Sequence, residues 1–76
     1  MGFKKLSVVE ISEVTAKIRA RYDYYCKTCF KPARLKQEFE YRYRDALKKG
    51  YDISNFLLAE ISAIEELIKK AEDKIA

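Results

Sequence analysis

The stretch SVVEISEVTAKIRARYDYY, residues 7–25, decides the fold. It opens on Ser7-Val8-Val9-Glu10, the pattern of a capping box. There the serine hydroxyl accepts from the Glu10 amide and the Glu10 carboxylate accepts from the Ser7 amide. Leu6 and Ile11 occupy the two positions of a hydrophobic staple around that cap. Beyond it, Ile11, Val14, Ile18, Tyr22 and Tyr25 recur at spacings of three and four. At ~100° per residue these side chains fall on one stripe, the signature of an amphipathic helix. The spacing predicts a first helix from Val8 to about Tyr25 or Lys27, over roughly residues 8–27.

Working outward, Pro32 breaks this pattern, because a proline inside a helix removes a hydrogen bond but suits the first turn of a new one. A second helix is expected from Pro32 or Ala33 to Lys49, with Leu35, Phe39, Tyr43 and Ala46 inward and Leu47 at the edge. Glu38–Arg42 and Glu40–Arg44 are spaced as i,i+4 ion pairs along it. Lys48 and Lys49 suit its negative end, and Gly50 suits the position just past it. Asp52 or Ser54 then caps a third helix, over about residues 54–75, with Leu57, Ile61, Ile64, Ile68, Ala71 and Ile75 inward. Glu60 lies near that inner stripe and calls for a cationic partner, since an unpaired carboxylate there is costly. Phe56 and Leu58 flank the stripe and widen its apolar start, as a central position in the bundle or a contact with a second copy requires. Short connections make sequential helices antiparallel. The expectation is one all-α domain over residues 1–76, a three-helix antiparallel bundle or a helical hairpin plus a third helix.

Composition narrows the function classes. Hydrophobic residues make up 49% of the chain and only two glycines and one proline occur, which excludes a disordered tail or a collagen-like repeat. No apolar run approaches the ~18 residues a membrane span needs. Met1-Gly2-Phe3-Lys4-Lys5 has no signal-peptide character, so the expected location is cytoplasmic. A domain this small buries only ~60–65% of its unfolded surface, so a homo-oligomer is the expected working state. The net charge of +4 hides an asymmetry: Lys17–Lys49 holds eleven basic residues against four acidic, whereas Asp52 onward holds six acidic against three basic.

Cys26-Lys27-Thr28-Cys29 is the one motif that suggests chemistry. Two thiolates at this spacing form half of a tetrahedral zinc site, and the chain has no His or further Cys to complete it. Two chains together supply four thiolates, so a zinc ion shared between two chains is the corresponding cofactor expectation. In its placement at the tip of a helical hairpin, the motif resembles the zinc hook of chromosome-maintenance ATPases. There a Cys-x-x-Cys at a coiled-coil apex shares one metal between two chains. The resemblance covers four residues and their setting. Lys27 stands where the hook usually has Pro, and the helices here are far shorter than that family's arms. The other readings of Cys26 and Cys29 are a disulfide, a redox pair, and two small buried hydrophobes.

Five of the six tyrosines lie in the basic segment. Tyr22, Tyr25 and Tyr43 fall on inward stripes, whereas Tyr24 and Tyr41 point outward. Lys17, Arg21 and Tyr24 share one flank of the first helix, and Arg34, Tyr41, Arg44 and Lys48 share the face of the second opposite Phe39. An exposed aromatic among cations is a stacking platform with phosphate contacts beside it. The third helix presents Glu60, Glu65, Glu66, Glu72 and Asp73, the wrong sign for a recognition helix in a DNA groove. Without His, a Ser-His-Asp or Cys-His site is excluded, and no glycine-rich phosphate loop is present. The expected function is a non-enzymatic, self-associating helical module whose first and second helices bind nucleic acid or an acidic protein. The alternative is a structural homo-oligomer, or a dimer linked by metal or redox chemistry through Cys26 and Cys29.

Overall fold

Both hydrogen bonds of the Ser7–Glu10 box are made in the computed structural model, which describes residues 5–75. The Ser7 amide donates to the Glu10 carboxylate at 3.1 Å, and the Glu10 amide donates to the Ser7 hydroxyl at 3.2 Å. The helix they start, α1, runs Val8–Thr28; α2 runs Arg34–Lys49 and α3 runs Ile53–Ile75, and the three helices pack against one another as an all-α bundle with no strand among the described residues. Ion pairs set the direction of α2. Arg19 meets Glu40 and Asp23 meets Lys36, so residue numbers rise on α1 as they fall on α2. Contacts between α1 and α3 run the other way: the Leu6 amide donates to the Ser54 hydroxyl at 3.0 Å, and the Tyr24 hydroxyl donates to Glu72. The bundle is therefore up-down-up, with α1 and α3 parallel and in the most extensive contact.

The core follows the predicted stripes. Ile18, Tyr22 and Tyr25 of α1, Phe39 and Ala46 of α2, and Leu57, Ile64 and Ile68 of α3 are all buried. Phe39 is the hub. Its ring stacks on Tyr22 at 5.5 Å, on Tyr43 at 6.1 Å and on Phe56 at 6.1 Å. Stacked pairs of this kind contribute about 0.5–1.5 kcal/mol each beyond the area they bury. Phe56 and Leu58, expected as a contact with a second copy or as central residues of the bundle, are half-buried against the chain's own core. Leu47, placed at the edge of the α2 stripe, is exposed.

The helix bounds fall within one or two residues of those expected: α1 continues through Thr28, which puts Cys26 in its last turn, and α2 begins at Arg34, just past Pro32 and Ala33. The ion pairs expected within α2, in contrast, give way to pairs between helices. Arg42 binds Glu60 of α3 through Nε at 3.1 Å, and Glu40 receives Arg19 of α1 through Nε at 2.7 Å and Nη2 at 3.0 Å. A two-pronged guanidinium contact at a helix seam is stronger than an exposed i,i+4 pair, so it takes the shared partner. Of the two candidate caps of α3, Asp52 acts, accepting from the Ser54 amide at 3.1 Å, while Ser54 is buried and serves Leu6.

The two interhelical turns use one device. At the end of α2 the Tyr51 amide donates to the Ala46 carbonyl at 3.0 Å around Gly50, whose φ is +74°. At the end of α1 the Lys31 amide donates to the Cys26 carbonyl at 3.1 Å around Phe30, whose φ is +57°. Both are six-residue helix closures of the Schellman type, which require one left-handed residue. Glycine fills that position at the second turn and phenylalanine at the first.

Candidate functional site

Burial and pairing sort the cations of the basic segment into two groups. Arg19, Lys36, Arg42 and Lys49 are tied to Glu40, Asp23, Glu60 and Asp45, respectively. The first three pairs join neighbouring helices, and the Lys49–Asp45 pair lies within α2. The Arg19 hydrogen bond keeps the Glu40 carboxyl below the usual carboxylate range, and Lys36 does the same for Asp23. Burial opposes the charge on Arg42, but its bonds to Glu60 outweigh that and raise its pKa. Tyr22 completes this cluster by donating to Glu60 at 3.1 Å and accepting from Arg42 at 3.3 Å. Burial first, then the Glu60 charge, pushes the Tyr22 phenol up to about 12.

The remaining cations divide by face, and here the expected continuous surface separates into two. On α1, Lys17, Arg21 and Tyr24 lie on the flank turned towards α3, whereas Arg19 and Asp23 mark the flank turned towards α2. Arg21 shares a shallow hollow with Glu65, Ile68, Lys69 and Glu72, and the Tyr24 hydroxyl is bonded to Glu72. The acidic side of α3 thus lies beside Arg21 and Tyr24. The parallel packing of α1 on α3 produces this juxtaposition.

The α2 set is less compensated, with Glu40 and Asp45 as the carboxylates beside Arg44. Arg34, Tyr41, Arg44 and Lys48 are all exposed, opposite the fully buried Phe39, and no salt bridge among the described residues engages these three cations. Tyr41 is 73% exposed. It lines a hollow of about 310 Å³ with Gln37, Glu40 and Arg44, and it borders two others. One, of about 220 Å³, is lined by Tyr41, Arg44, Asp45 and Lys48. The other, of about 200 Å³, is lined by Tyr41, Arg42, Asp45, Ala46, Tyr51 and Phe56. Asp45, common to both, is bonded to Lys49 at 3.2 Å, and the Lys49 ammonium lies 6.0 Å from the centre of the Tyr51 ring.

Sequence reasoning missed Tyr51 as a site residue. The available signal was Gly50: a helix closure around a left-handed glycine folds the next residue back over the last turn, which sets Tyr51 beside Ala46. Phe30, 89% exposed at the α1–α2 turn, was also missed, and its left-handed backbone had no glycine to announce it.

Cys26 and Cys29 are both free thiols. Cys29 is only 7% exposed and belongs to the core beside Tyr25, while the half-buried Cys26 thiol donates to the Pro32 carbonyl at 3.3 Å. Among the described residues no group of three or more His, Cys, Asp or Glu side chains converges on a metal-sized site. For both thiolates to reach a metal shared with a second chain, Cys29 has to leave the core, at the cost of an apolar contact. No helix among the described residues is long and apolar enough to cross a membrane. The chain matches no protein-family model, no curated protein and no solved structure.

Proposed function

We propose that the chain is a small helical interaction module that docks nucleic acid on the outward face of α2. The observation that supports this reading is an exposed row of Arg34, Arg44 and Lys48 around the exposed ring of Tyr41, none of the three engaged in a salt bridge among the described residues. Arg44 and Lys48 stand one helical turn apart, about 6 Å along the axis. Such a row makes phosphate contacts, which position a strand without reading its sequence. An exposed tyrosine beside the row adds a stacking surface, which favours nucleic acid over an acidic protein. The Lys17–Arg21–Tyr24 set faces acidic α3 and contributes little.

The test is fluorescence anisotropy of a labelled oligonucleotide over a range of salt. With about three phosphate contacts, log affinity falls with log salt at a slope of about −2 to −3. Arg44→Glu with Lys48→Glu weakens binding at least ~10-fold, whereas Lys17→Glu changes it little, since the first pair carries the phosphate contacts. Absence of binding, or binding indifferent to salt, overturns the reading. Self-association belongs to the same proposal, and Val8, Val9, Leu47 and Leu67 are exposed apolar side chains, one or more of which a second copy would cover. Native mass spectrometry decides it: a dimer supports it and a monomer removes it.

A further inference from the structure

The two hollows on either side of Tyr41 differ in chemistry, and that difference matches the two halves of a nucleotide. The hollow with Arg44 and Lys48 is basic. The hollow with Tyr51, Phe56 and Ala46 is predominantly aromatic and apolar. Tyr41 is the wall between them, and Tyr51 is itself 61% exposed. We infer that the Tyr41–Tyr51 cleft accepts an unpaired base of a single-stranded nucleic acid while Arg44 and Lys48 hold the adjoining phosphate. This deepens the docking reading above and rests on it.

The cleft has the features that a stacked base needs. Its rings are presented by rigid elements, Tyr41 by the middle of α2 and Tyr51 by the closure around Gly50. Phe56 is fixed by its stack on Phe39 at 6.1 Å and on Tyr43 at 6.4 Å. The charged groups at the rim are already satisfied, Arg42 by Glu60 and Asp45 by Lys49, so neither presents an unpaired charge to an apolar face. Lys49, paired with Asp45, also lies against the Tyr51 ring. In a duplex the bases are stacked on one another and their faces are unavailable, so the cleft selects single strands. Because every base has a π-face, it does so without strong sequence preference.

Three fluorescein-labelled probes of equal length separate the possibilities: an oligothymidylate, an abasic strand with the same phosphates, and the thymidylate paired with oligoadenylate. The thymidylate is expected to bind ~10-fold or more tightly than the abasic strand, the effect of stacking one base. It is also expected to bind more tightly than the duplex. The double variant Tyr41→Leu, Tyr51→Leu alters only exposed side chains and retains the fold by circular dichroism. It should bind the thymidylate no better than the abasic strand, with abasic binding unchanged. The chain has no Trp, so its tyrosine emission reports the contact directly. Quenching by thymidylate in the parent, lost in the double variant, is the second expected result. Equal affinity for all three probes, or no effect of the double variant, overturns the cleft and leaves phosphate docking standing. Binding of none of the probes overturns both.

Discussion

Phe30→Gly should make the protein more stable, although it removes the largest side chain of its turn. Phe30 has φ +57° and its ring is 89% exposed, so the folded state gains little from the ring and bears the strain of the left-handed backbone. For a residue with a Cβ that conformation costs about 1–2 kcal/mol. Glycine removes the strain but gives the unfolded chain more freedom, which returns about 0.5–1 kcal/mol. The net gain is about 0.5–1 kcal/mol. In a domain of this size it raises the unfolding midpoint by about 2–8 °C. The molecule carries its own reciprocal test. Gly50 occupies the equivalent place at the other turn, at φ +74°, and a Cβ added there meets no heavy atom within 4 Å. Gly50→Ala therefore suffers no clash and should lose, by conformational strain alone, about what Phe30→Gly gains. Thermal and urea unfolding followed by circular dichroism measure both. Phe30→Ala is the decisive control, because it removes the ring and keeps the strain. If Phe30→Ala is as stabilising as Phe30→Gly, or if Phe30→Gly is destabilising, the backbone argument is wrong.

Four further outcomes follow from the charge network. Arg42→Met leaves the Glu60 carboxylate, whose side chain is 15% exposed, with Tyr22 as its remaining partner, and should cost about 1–3 kcal/mol by urea unfolding. Lys70→Met, which breaks the exposed pair with Glu66, should cost under about 0.5 kcal/mol. In acid, Glu40 and Asp23 have folded pKa values below their ordinary 4.5 and 3.8. Their contribution to stability is therefore complete above those values and is lost as pH falls through the lower, folded ones. Urea midpoints should fall below about pH 4, and less steeply in Glu40→Gln. In base the sign reverses: Tyr22 is raised from 10.0 to about 12, so its contribution is complete below pH 10 and is lost as pH rises towards 12. Its ionisation should appear as a late step in the tyrosinate absorbance titration that Tyr22→Phe removes.

The sequence carries the helices more fully than it carries the site, and the reason is range. The capping box, the stripe from Ile11 to Tyr25 and the glycine after Lys49 are local patterns, and each appears in the fold where its spacing puts it. Glu60 was legible as a buried acid in need of a cation, but not which cation. Arg42 has a local candidate in Glu38 and a distant one in Glu60, and only the crossing of α2 with α3 chooses between them. The form of the closure at the end of α1 was obscured for a related reason. No glycine follows Thr28, and a phenylalanine adopts the backbone that glycine usually supplies. Tyr24 reads as exposed among cations on a helical wheel, yet in the fold it leans across to Glu72, forty-eight residues away in sequence.

That last displacement bears on function. A count along the chain gives a basic stretch from Lys17 to Lys49 and an acidic one after Asp52. A field, however, is set by the arrangement of charges in space, and within roughly a Debye length of ~10 Å opposite charges on neighbouring helices cancel. Because α1 lies parallel to α3, Arg21 meets Glu65 and Glu72, and its contribution at long range is reduced. The seam between α1 and α2 consumes Arg19 and Lys36 in the same way. What survives is the α2 face of Arg34, Arg44 and Lys48, with Tyr41 at its centre and the Tyr51 cleft at its edge, together with the exposed Lys27 and Lys31 near the α1–α2 turn. A charge reversal on α1 and one on α2 change the net charge identically. If the two lowered nucleic-acid affinity equally, the net charge of the molecule would be steering association. A loss confined to α2 would place the contact on that face.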